Sequence, residues 1–460
     1  MLLAIVPMIV CGHCHPAIVA RYARTPMANS SGLVQSATEP TGGFFHAASG
    51  TLYGIVRSAD RLVIEWNGHR KPLDFYIGSG RMGRSYGFAV DAYLLYQAPV
   101  GYYANRRIWD IAPGYENDRQ PDFNRPITAE CLFCHASGAS IIPKTVNRVA
   151  DLSALHGISC ERCHGDASVH VSHPQAGNVV NPNKLPFAER DSVCEQCHLA
   201  GEARIAQPGR EIADFRPGQR LSSYVAVFVA PERPPGIRVN SHVEALAASR
   251  CRRVSGQKLW CGSCHDPHGA PADYREMCLG CHAARACPKL GSGPNHDAPN
   301  CIACHMPKSR AYDGGHTVFT DHAIPRRPAN DAPKKVVPAS LESYFPAYTN
   351  SFDASRNLGI AWALVAESYR NPRLFERAWP LLRAAASRQP RDPTLYAKVA
   401  EALESASKIS EAEKAYRLSL DQEPGQVEVL LRLAALLERA GNVAEAVALR
   451  DRATAILPRQ

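Results

Sequence analysis

The pattern Cys-x-x-Cys-His occurs seven times and uses fourteen of the sixteen cysteines. The copies lie at Cys11–His15, Cys131–His135, Cys160–His164, Cys194–His198, Cys261–His265, Cys278–His282 and Cys301–His305. This spacing attaches a c-type haem, because two thiols add across the porphyrin vinyl groups and the adjacent His ligates the iron. An array of zinc sites is the alternative, but zinc does not require a His directly after every second Cys. The motifs therefore predict a chain folded around seven covalently bound haems.

Each motif predicts two attachment thiols and one proximal iron ligand. The predicted thiols are Cys11, Cys14, Cys131, Cys134, Cys160, Cys163, Cys194, Cys197, Cys261, Cys264, Cys278, Cys281, Cys301 and Cys304. The predicted proximal ligands are His15, His135, His164, His198, His265, His282 and His305. Cys251 and Cys287 belong to no motif. We expect a disulfide between these two in an oxidising compartment, with a thiolate ligand as the alternative.

Spare histidines cluster near the motifs and are candidates for the second axial ligand. They are His156, His170, His242, His268, His296, His316 and His322. A second His gives six-coordinate, low-potential iron suited to electron transfer, so we expect mostly bis-His haems. No spare His follows the first motif closely, and Met27 is either a ligand of that haem or an ordinary packed side chain.

The formal net charge is +9. Seven haems bring two propionates each, about fourteen negative charges if all ionise, which leaves the loaded protein near neutral or mildly acidic. The basic composition is therefore no indication of nucleic-acid binding. Haem c is attached outside the cytoplasm, so a periplasmic or otherwise exported protein is expected. Residues 1–10 are apolar but lack a basic region and a cleavage site, which indicates a truncated or mis-started export signal. No stretch predicts a membrane span.

Residues 40–125 contain no motif and are rich in Gly, Tyr and β-branched residues. Alternating runs such as Arg61–Trp66 predict antiparallel strands, and Asn67-Gly68 predicts a two-residue hairpin turn. We expect a small β-rich module here, between a first haem-binding segment at 11–39 and a multihaem domain at 126–330. Porphyrins replace much of the side-chain core in such a domain. Little regular structure is expected there beyond short helices at the motifs and one at 242–249.

A period of 34 residues follows a predicted linker at 331–358 and starts at Gly359, Pro393 and Val427. Its recurring columns are Trp362, Tyr396 and Leu430; Ala366, Ala400 and Ala434; Ala378, Ala412 and Ala446; and Pro390, Pro424 and Pro458. Small Ala residues let paired helices approach, and Pro ends the second helix of each pair. The pattern predicts three tetratricopeptide repeats over 359–460. The overall expectation is a mixed fold, a haem-packed domain with a β module followed by an all-α solenoid.

Three stretches carry a family resemblance. The stretch 156–165, His-Gly-Ile-Ser-Cys-Glu-Arg-Cys-His-Gly, with His170 downstream, resembles multihaem cytochromes related to the tetrahaem cytochrome of ammonia oxidation. The stretch 261–268, Cys-Gly-Ser-Cys-His-Asp-Pro-His, resembles the doubled-CxxCH carriers. The stretch 301–307 is similar to pentahaem nitrite reductases, a resemblance that implies a distal-ligand role for His322. Those reductases carry a CxxCK site, which this sequence lacks.

The sequence thus predicts an exported heptahaem electron-transfer protein rather than an enzyme. The alternative is a multihaem oxidoreductase that acts on a nitrogen or sulfur oxyanion at one five-coordinate haem, and a repeat scaffold with structural haems ranks third. Expected partners are redox proteins, a protein bound by the repeats and the cytochrome c maturation machinery. Nucleic acid is not expected as a partner, and no transmembrane span is expected.

Overall fold

The computed structural model describes residues 8–91, 93–143, 145–232, 236–282, 301–326, 335–345 and 351–460. The α-helices of this part of the chain are α1 (Met8–Cys14), α2 (Pro16–Tyr22), α3 (Ala129–His135), α4 (Glu161–His164), α5 (Ser168–Ser172), α6 (Phe187–His198), α7 (His242–Ala248), α8 (Arg250–Ser255), α9 (Tyr274–Leu279), α10 (Cys301–His305), α11 (Ser351–Ser368), α12 (Phe375–Ala386), α13 (Pro393–Ser405), α14 (Ile409–Gln422), α15 (Val427–Arg439) and α16 (Val443–Ile456). The strands are β1 (Ser31–Leu33), β2 (Gly42–His46), β3 (Thr51–Ser58), β4 (Arg61–Trp66), β5 (His69–Leu73), β6 (Phe75–Ile77), β7 (Arg84–Val90), β8 (Leu94–Tyr103), β9 (Ile108–Ile111), β10 (Ala203–Ala206), β11 (Val225–Val229), β12 (Lys308–Arg310), β13 (Val318–Thr320) and β14 (Glu342–Ser343).

The β module consists of two antiparallel sheets. One sheet has the order β2-β3-β4-β5 and the other the order β1-β6-β7-β8-β9. The predicted hairpin turn is confirmed, because Trp66 pairs with His69 and both Asn67 and Gly68 have positive φ, as a type I′ turn requires. The module reaches further toward the N-terminus than the expected residue 40, since β1 pairs with β6.

The core of the β module is a cluster of aromatic and branched side chains between the sheets. On the paired strands β3 and β4, Ile55 faces Ile64, and both are fully buried. Tyr86, Tyr96 and Phe88 extend the same cluster on β7 and β8. The predicted alternation of inward and outward residues holds along β3, whereas β4, β7 and β8 each bury at least three consecutive residues.

The motif-bearing residues from 126 onward have sparse regular structure, as expected. The predicted helix at 242–249 is confirmed as α7. A three-stranded antiparallel sheet, β10-β11-β14, lies within this part, and β12 pairs with β13 as a short hairpin.

Residues 351–460 form three antiparallel helix pairs, α11 with α12, α13 with α14 and α15 with α16. The predicted Ala columns are buried at every position: Ala366, Ala400 and Ala434 in the first helices, and Ala378, Ala412 and Ala446 in the second helices. Pro390, Pro424 and Pro458 each follow the end of a second helix. The 34-residue period therefore corresponds to a repeating helical hairpin.

The linker expected at 331–358 is partly structured. Strand β14 pairs with β11, and α11 begins at residue 351, earlier than the repeat pattern indicates. The reason is the Arg356 side chain, which is 3% exposed. It donates to both Asp392 carboxylate oxygens, at 2.7 and 3.1 Å, and to the Ala206 carbonyl on β10 at 2.7 Å. The early turns of α11 therefore join the repeats to the motif-bearing part.

The repeats contact the rest of the chain at both ends. At the first repeat, Ile205 and Phe228 of the β10-β11 sheet belong to the same buried cluster as the repeat helices. At the last repeat, Leu457 packs against the β-module core, and the Tyr96 hydroxyl donates to the Pro458 carbonyl at 2.6 Å. Within the described residues, no helix has both the length and the apolar character needed to cross a bilayer.

Candidate haem-binding sites

Each motif places its reactive side chains on one face of a tight turn. The His15 amide donates to the Cys11 carbonyl at 2.8 Å, and the same contact recurs at 2.9 Å in the motifs that begin at Cys160, Cys261 and Cys278. This bond from residue i+4 to residue i is one helical turn, so the first thiol, the second thiol and the imidazole project from the same side. Helices α3, α6 and α10 each end at the motif His and provide the same arrangement for the other motifs.

The motifs meet one another through their thiols. Thiols of different motifs lie close enough to perturb one another: burial and then Cys11 raise the pKa of Cys160, Cys197 lowers that of Cys134, Cys261 raises that of Cys194, and burial and then Cys301 raise that of Cys278. Cys163 lies within electrostatic reach of Cys194, and Cys264 within reach of Cys278. All seven motifs therefore form one connected series. The first motif meets the third, the third meets the fourth, and the fourth also meets the second and the fifth. The sixth and seventh motifs follow the fifth.

Proximal and spare histidines face each other in four places. The ring centroids of His15 and His170 are 6.4 Å apart with planes at 11°, and those of His164 and His268 are 5.9 Å apart at 20°. The centroids of His265 and His322 are 6.1 Å apart. His198 meets His242 edge-on at 5.4 Å, and His242 also lies 4.9 Å from His322.

These separations suit an iron atom between two imidazoles. With metal–nitrogen bonds of about 2 Å, two ring centroids on opposite sides of one metal lie roughly 6 Å apart. The arrangement of thiols and imidazoles thus fits haem c.

Hydrogen bonds orient several of these rings through Nδ1. Acceptors lie 2.7–3.1 Å from the Nδ1 atoms of His164 (Val180 O), His170 (Asn178 Oδ1), His268 (Asp266 Oδ1), His305 (Pro325 O) and His322 (Thr320 O). An imidazole whose Nδ1–H donates in this way presents Nε2 to a metal, and such partners fix the tautomer and the ring orientation.

Burial keeps the central imidazoles neutral, the form that binds metal. It lowers the pKa of His198 to about 4 and that of His242 to about 3, and neighbouring imidazoles add to both shifts. Burial also lowers the pKa of His135, His164 and His265.

The remaining candidates lie elsewhere. His316 packs on the β module, where its Nε2 is 2.6 Å from Asp110 Oδ2 and its Nδ1 is 3.1 Å from Arg106 Nη1. Both ring nitrogens of His316 are thus occupied. His156 is exposed, with Nδ1 3.3 Å from the Gly157 carbonyl. His296 and Cys287 lie outside the described residues, so the disulfide expected between Cys251 and Cys287 does too.

Met27 is half-buried, and its hydrogen bonds are made by its backbone carbonyl. Its carbonyl accepts from the Ile158 amide at 2.9 Å. The ring that faces His15 is that of His170.

Arg162 and Arg204 are two residues of this region that the motif analysis did not single out. Both lie near Cys134 and Cys197, and the Arg162 guanidinium stacks on Phe133 at 4.2 Å. The position of Arg162 inside the motif Cys160–His164 was the available signal, since a cation there is fixed beside a haem attachment.

Residues 114–165 are similar to a known cytochrome family. This stretch matches the family model of cytochrome c554 and c-prime. The match spans the second and third motifs, and it supports a cytochrome c with covalently bound haem. It agrees with the resemblance read from the stretch 156–165. A comparison with curated proteins finds no match.

Similarities to solved structures are low, both in sequence identity and in TM-score. The outer cell wall cytochrome OcwA is 14% identical, with 98% of this chain and 99% of that chain covered and a TM-score of 0.45. MamA from Desulfovibrio magneticus RS-1 is 15% identical over 22% of this chain and 66% of that chain, with a TM-score of 0.18. MamA of AMB-1 is 20% identical over 24% of this chain and 62% of that chain, with a TM-score of 0.21. This chain thus spans less than two thirds of either MamA chain.

Proposed function

We propose that the chain is an exported seven-haem c-type cytochrome that transfers electrons between protein partners. The observation that carries the proposal is the connected series of seven motifs with proximal and spare imidazoles facing each other beside them. The cytochrome family match over residues 114–165 supports it. When bound, haem c supplies one-electron chemistry.

In this proposal, the fourteen motif cysteines hold the porphyrins and the seven motif histidines are the proximal ligands. Four of the seven irons receive a second imidazole, through the pairs His15 with His170, His164 with His268, His198 with His242, and His265 with His322. We leave His316 out of the ligand set, because both of its ring nitrogens have other partners. His156 and His296 stay candidates for the other irons.

The repeats are proposed to bind a protein partner and to stabilise the haem-binding part through the sheet β10-β11. On the second and third helix pairs, exposed charged side chains such as Glu428 and Arg439 alternate with exposed apolar ones such as Val443. Solenoid repeats present such surfaces to other proteins.

A second candidate function is a reaction at an open haem of the second motif. His135 is buried, and its Nδ1 has no hydrogen-bond partner within the described residues. No imidazole ring of the described residues faces it, unlike the four paired rings above. An open iron binds small ligands rather than only passing electrons, which corresponds to the oxidoreductase alternative.

The two functions are separated by counting haems and their spin states. The protein, produced in an exporting host with a cytochrome c maturation system, should have an intact mass seven haems above that of the chain. Low-temperature electron paramagnetic resonance should be mostly low-spin if electron transfer is the function. A distinct high-spin fraction that binds carbon monoxide on reduction, and that is lost in His135→Ala, would favour the open-haem reaction. Absence of covalent haem from the mature protein would refute both.

A further inference from the structure

The Arg162 side chain places a positive charge among the second, third and fourth motifs. Its Nε is sealed from solvent and has no hydrogen-bond partner within the described residues. The guanidinium lies within electrostatic reach of Cys134, Cys163 and Cys197. These are the second thiols of three different motifs, so one cation stands beside three proposed attachment sites.

Arg204 adds a second cation at the same place. Its Nη2 is also sealed and without a partner in the described part of the chain, and it lies near both Cys134 and Cys197. Other buried arginines of this structure have carboxylate partners, such as Arg356 with Asp392 and Arg238 with Glu202. Among the described ion pairs, neither Arg162 nor Arg204 has one.

We propose that Arg162, supported by Arg204, sets the reduction potentials of the haems held by the second, third and fourth motifs above those of the remaining haems. The inference rests on the proposed electron-transfer function. It adds that electrons reside preferentially on these three haems. The third motif also contacts the first, and the fourth contacts the fifth. These three motifs therefore connect the first motif with the fifth, sixth and seventh.

The direction follows from Coulomb's law. Reduction removes one positive charge from the iron, so a nearby fixed cation destabilises the oxidised form more than the reduced form and raises the potential. The effect is large here because sealed atoms are poorly screened by water and salt. Burial, charge and hydrogen bonding are the means by which a protein tunes haem potential.

The test is a spectroelectrochemical titration of the fully loaded protein and of Arg162→Gln. In the variant, the midpoint potential of the highest-potential haems should fall by at least about 59 mV. For a one-electron couple, this fall is equivalent to a tenfold change in the ratio of oxidised to reduced haem. Arg204→Gln should shift the same haems in the same direction by less. Arg162→Lys keeps the charge and should stay close to the parent. Arg81→Gln, an exposed arginine of the β module, is the charge-matched control and should leave every midpoint unchanged.

Haem content and spin state, measured on each variant, keep the two proposals distinct. If seven low-spin haems are present and Arg162→Gln leaves the potentials unchanged or raises them, the tuning role is wrong while the cytochrome proposal stands. An equal fall in Arg162→Lys and Arg162→Gln would also overturn it, since the charge would then be irrelevant. If the parent protein holds no haem, the proposed function itself fails. Should Arg162→Gln not accumulate, Arg204→Gln provides the same comparison.

Discussion

The imidazole rings of His15 and His170 lie nearly parallel, with their centroids 6.4 Å apart and their planes at 11°. The two residues are far apart in sequence and meet because Cys11 and Cys160 bring the first and third motifs together. The Nδ1–H of His170 donates to Asn178 Oδ1 at 2.8 Å, which turns Nε2 away from Asn178. This relationship makes His170 the proposed second ligand of the first haem.

His170→Ala should therefore convert one haem from low-spin to high-spin, because one iron loses its sixth ligand. The measurement is electron paramagnetic resonance of the oxidised protein together with the visible spectrum. Two controls are available. His173→Ala removes a nearby exposed imidazole, and Met27→Leu removes the thioether that the sequence offered as an alternative ligand. Neither should change the spectrum. A spectral change in Met27→Leu with none in His170→Ala would show that methionine is the ligand.

The proposed attachment residues are predictable from sequence because their chemistry is local. Five consecutive residues contain both thiols and the imidazole, so the spacing alone specifies them. The proposed second ligands are not local, since His170 reaches His15 only through the tertiary contact between two motifs. Proximity in sequence was correspondingly misleading for His316, which follows the last motif but packs against Asp110 of the β module.

The helical repeats were predictable for a related reason. Ala366 and Ala400 recur at a fixed period because every repeat makes the same helix–helix contact. The start of α11 was not predictable, because it depends on the burial of Arg356 between Asp392 and the Ala206 carbonyl. A salt bridge between residues of different repeats leaves no periodic signal.

His316→Ala should leave the spin state and spectrum of every haem unchanged. Its Nε2 and Nδ1 are occupied by Asp110 and Arg106, so the substitution removes a half-exposed polar contact rather than a ligand. We expect a loss of about 1 kcal/mol in the free energy of unfolding, measured by chemical denaturation. A new high-spin signal in this variant would return His316 to the ligand set.

Lys398→Ala should destabilise the repeats strongly. The Lys398 ammonium is buried and lies 2.9 Å from both Glu367 Oε2 and Glu401 Oε2. Its removal leaves the two carboxylates with Arg432 as their remaining cation, 2.9 Å from Glu367 and 3.7 Å from the buried Glu401. Breaking a buried pair in this way costs about 3–5 kcal/mol. Thermal unfolding followed by circular dichroism at the helical band is the measurement.

The matched control for Lys398 is Arg417→Ala. Arg417 also contacts two carboxylates, Glu413 at 2.8 Å and Glu445 at 2.6 Å, but its side chain is 41% exposed. The control should cost less than about 1 kcal/mol. Equal losses for the two variants would mean that burial does not strengthen the Lys398 network.

Glu195 should make stability depend on pH. It lies inside the fourth motif and is buried, and burial raises its pKa to about 8, with Asp191 adding to the effect. The folded state therefore binds a proton that the unfolded state, with an ordinary glutamate pKa of 4.5, has already lost. This contribution is fully present below pH 4.5 and is lost as the pH rises through 8, with a slope of up to about 1.4 kcal/mol per unit.

Glu195→Gln should remove that slope. Denaturation midpoints should be measured between pH 5 and 9. The midpoint of the variant should rise relative to that of the parent as the pH rises, and the difference should become constant above pH 8. The Tyr344 hydroxyl donates to Glu195 Oε1 at 3.3 Å. Glu342→Gln, at an exposed glutamate two residues before Tyr344, should follow the parent at every pH. A constant difference between Glu195→Gln and the parent would indicate that Glu195 is ionised throughout this range.

Removing residues 457–460 should loosen the last helix pair while leaving the haems intact. Leu457 packs on the β-module core, the Tyr96 hydroxyl donates to the Pro458 carbonyl at 2.6 Å, and the Gln460 amide donates to Asn124 Oδ1 at 2.7 Å. These contacts fasten α16, which otherwise packs mainly on α15 and reaches α14 through the Glu445–Arg417 ion pair at 2.6 Å. Hydrogen exchange in α16 should therefore speed up in the truncated chain, whereas the haem spectrum should not change, because no motif residue is involved. Tyr96→Phe removes only one of the hydrogen bonds and should have a smaller effect, about 1 kcal/mol. If exchange in α16 stays at the parent rate in the truncated chain, the last repeat is stable through α15 by itself and its contact with the β module contributes nothing to folding.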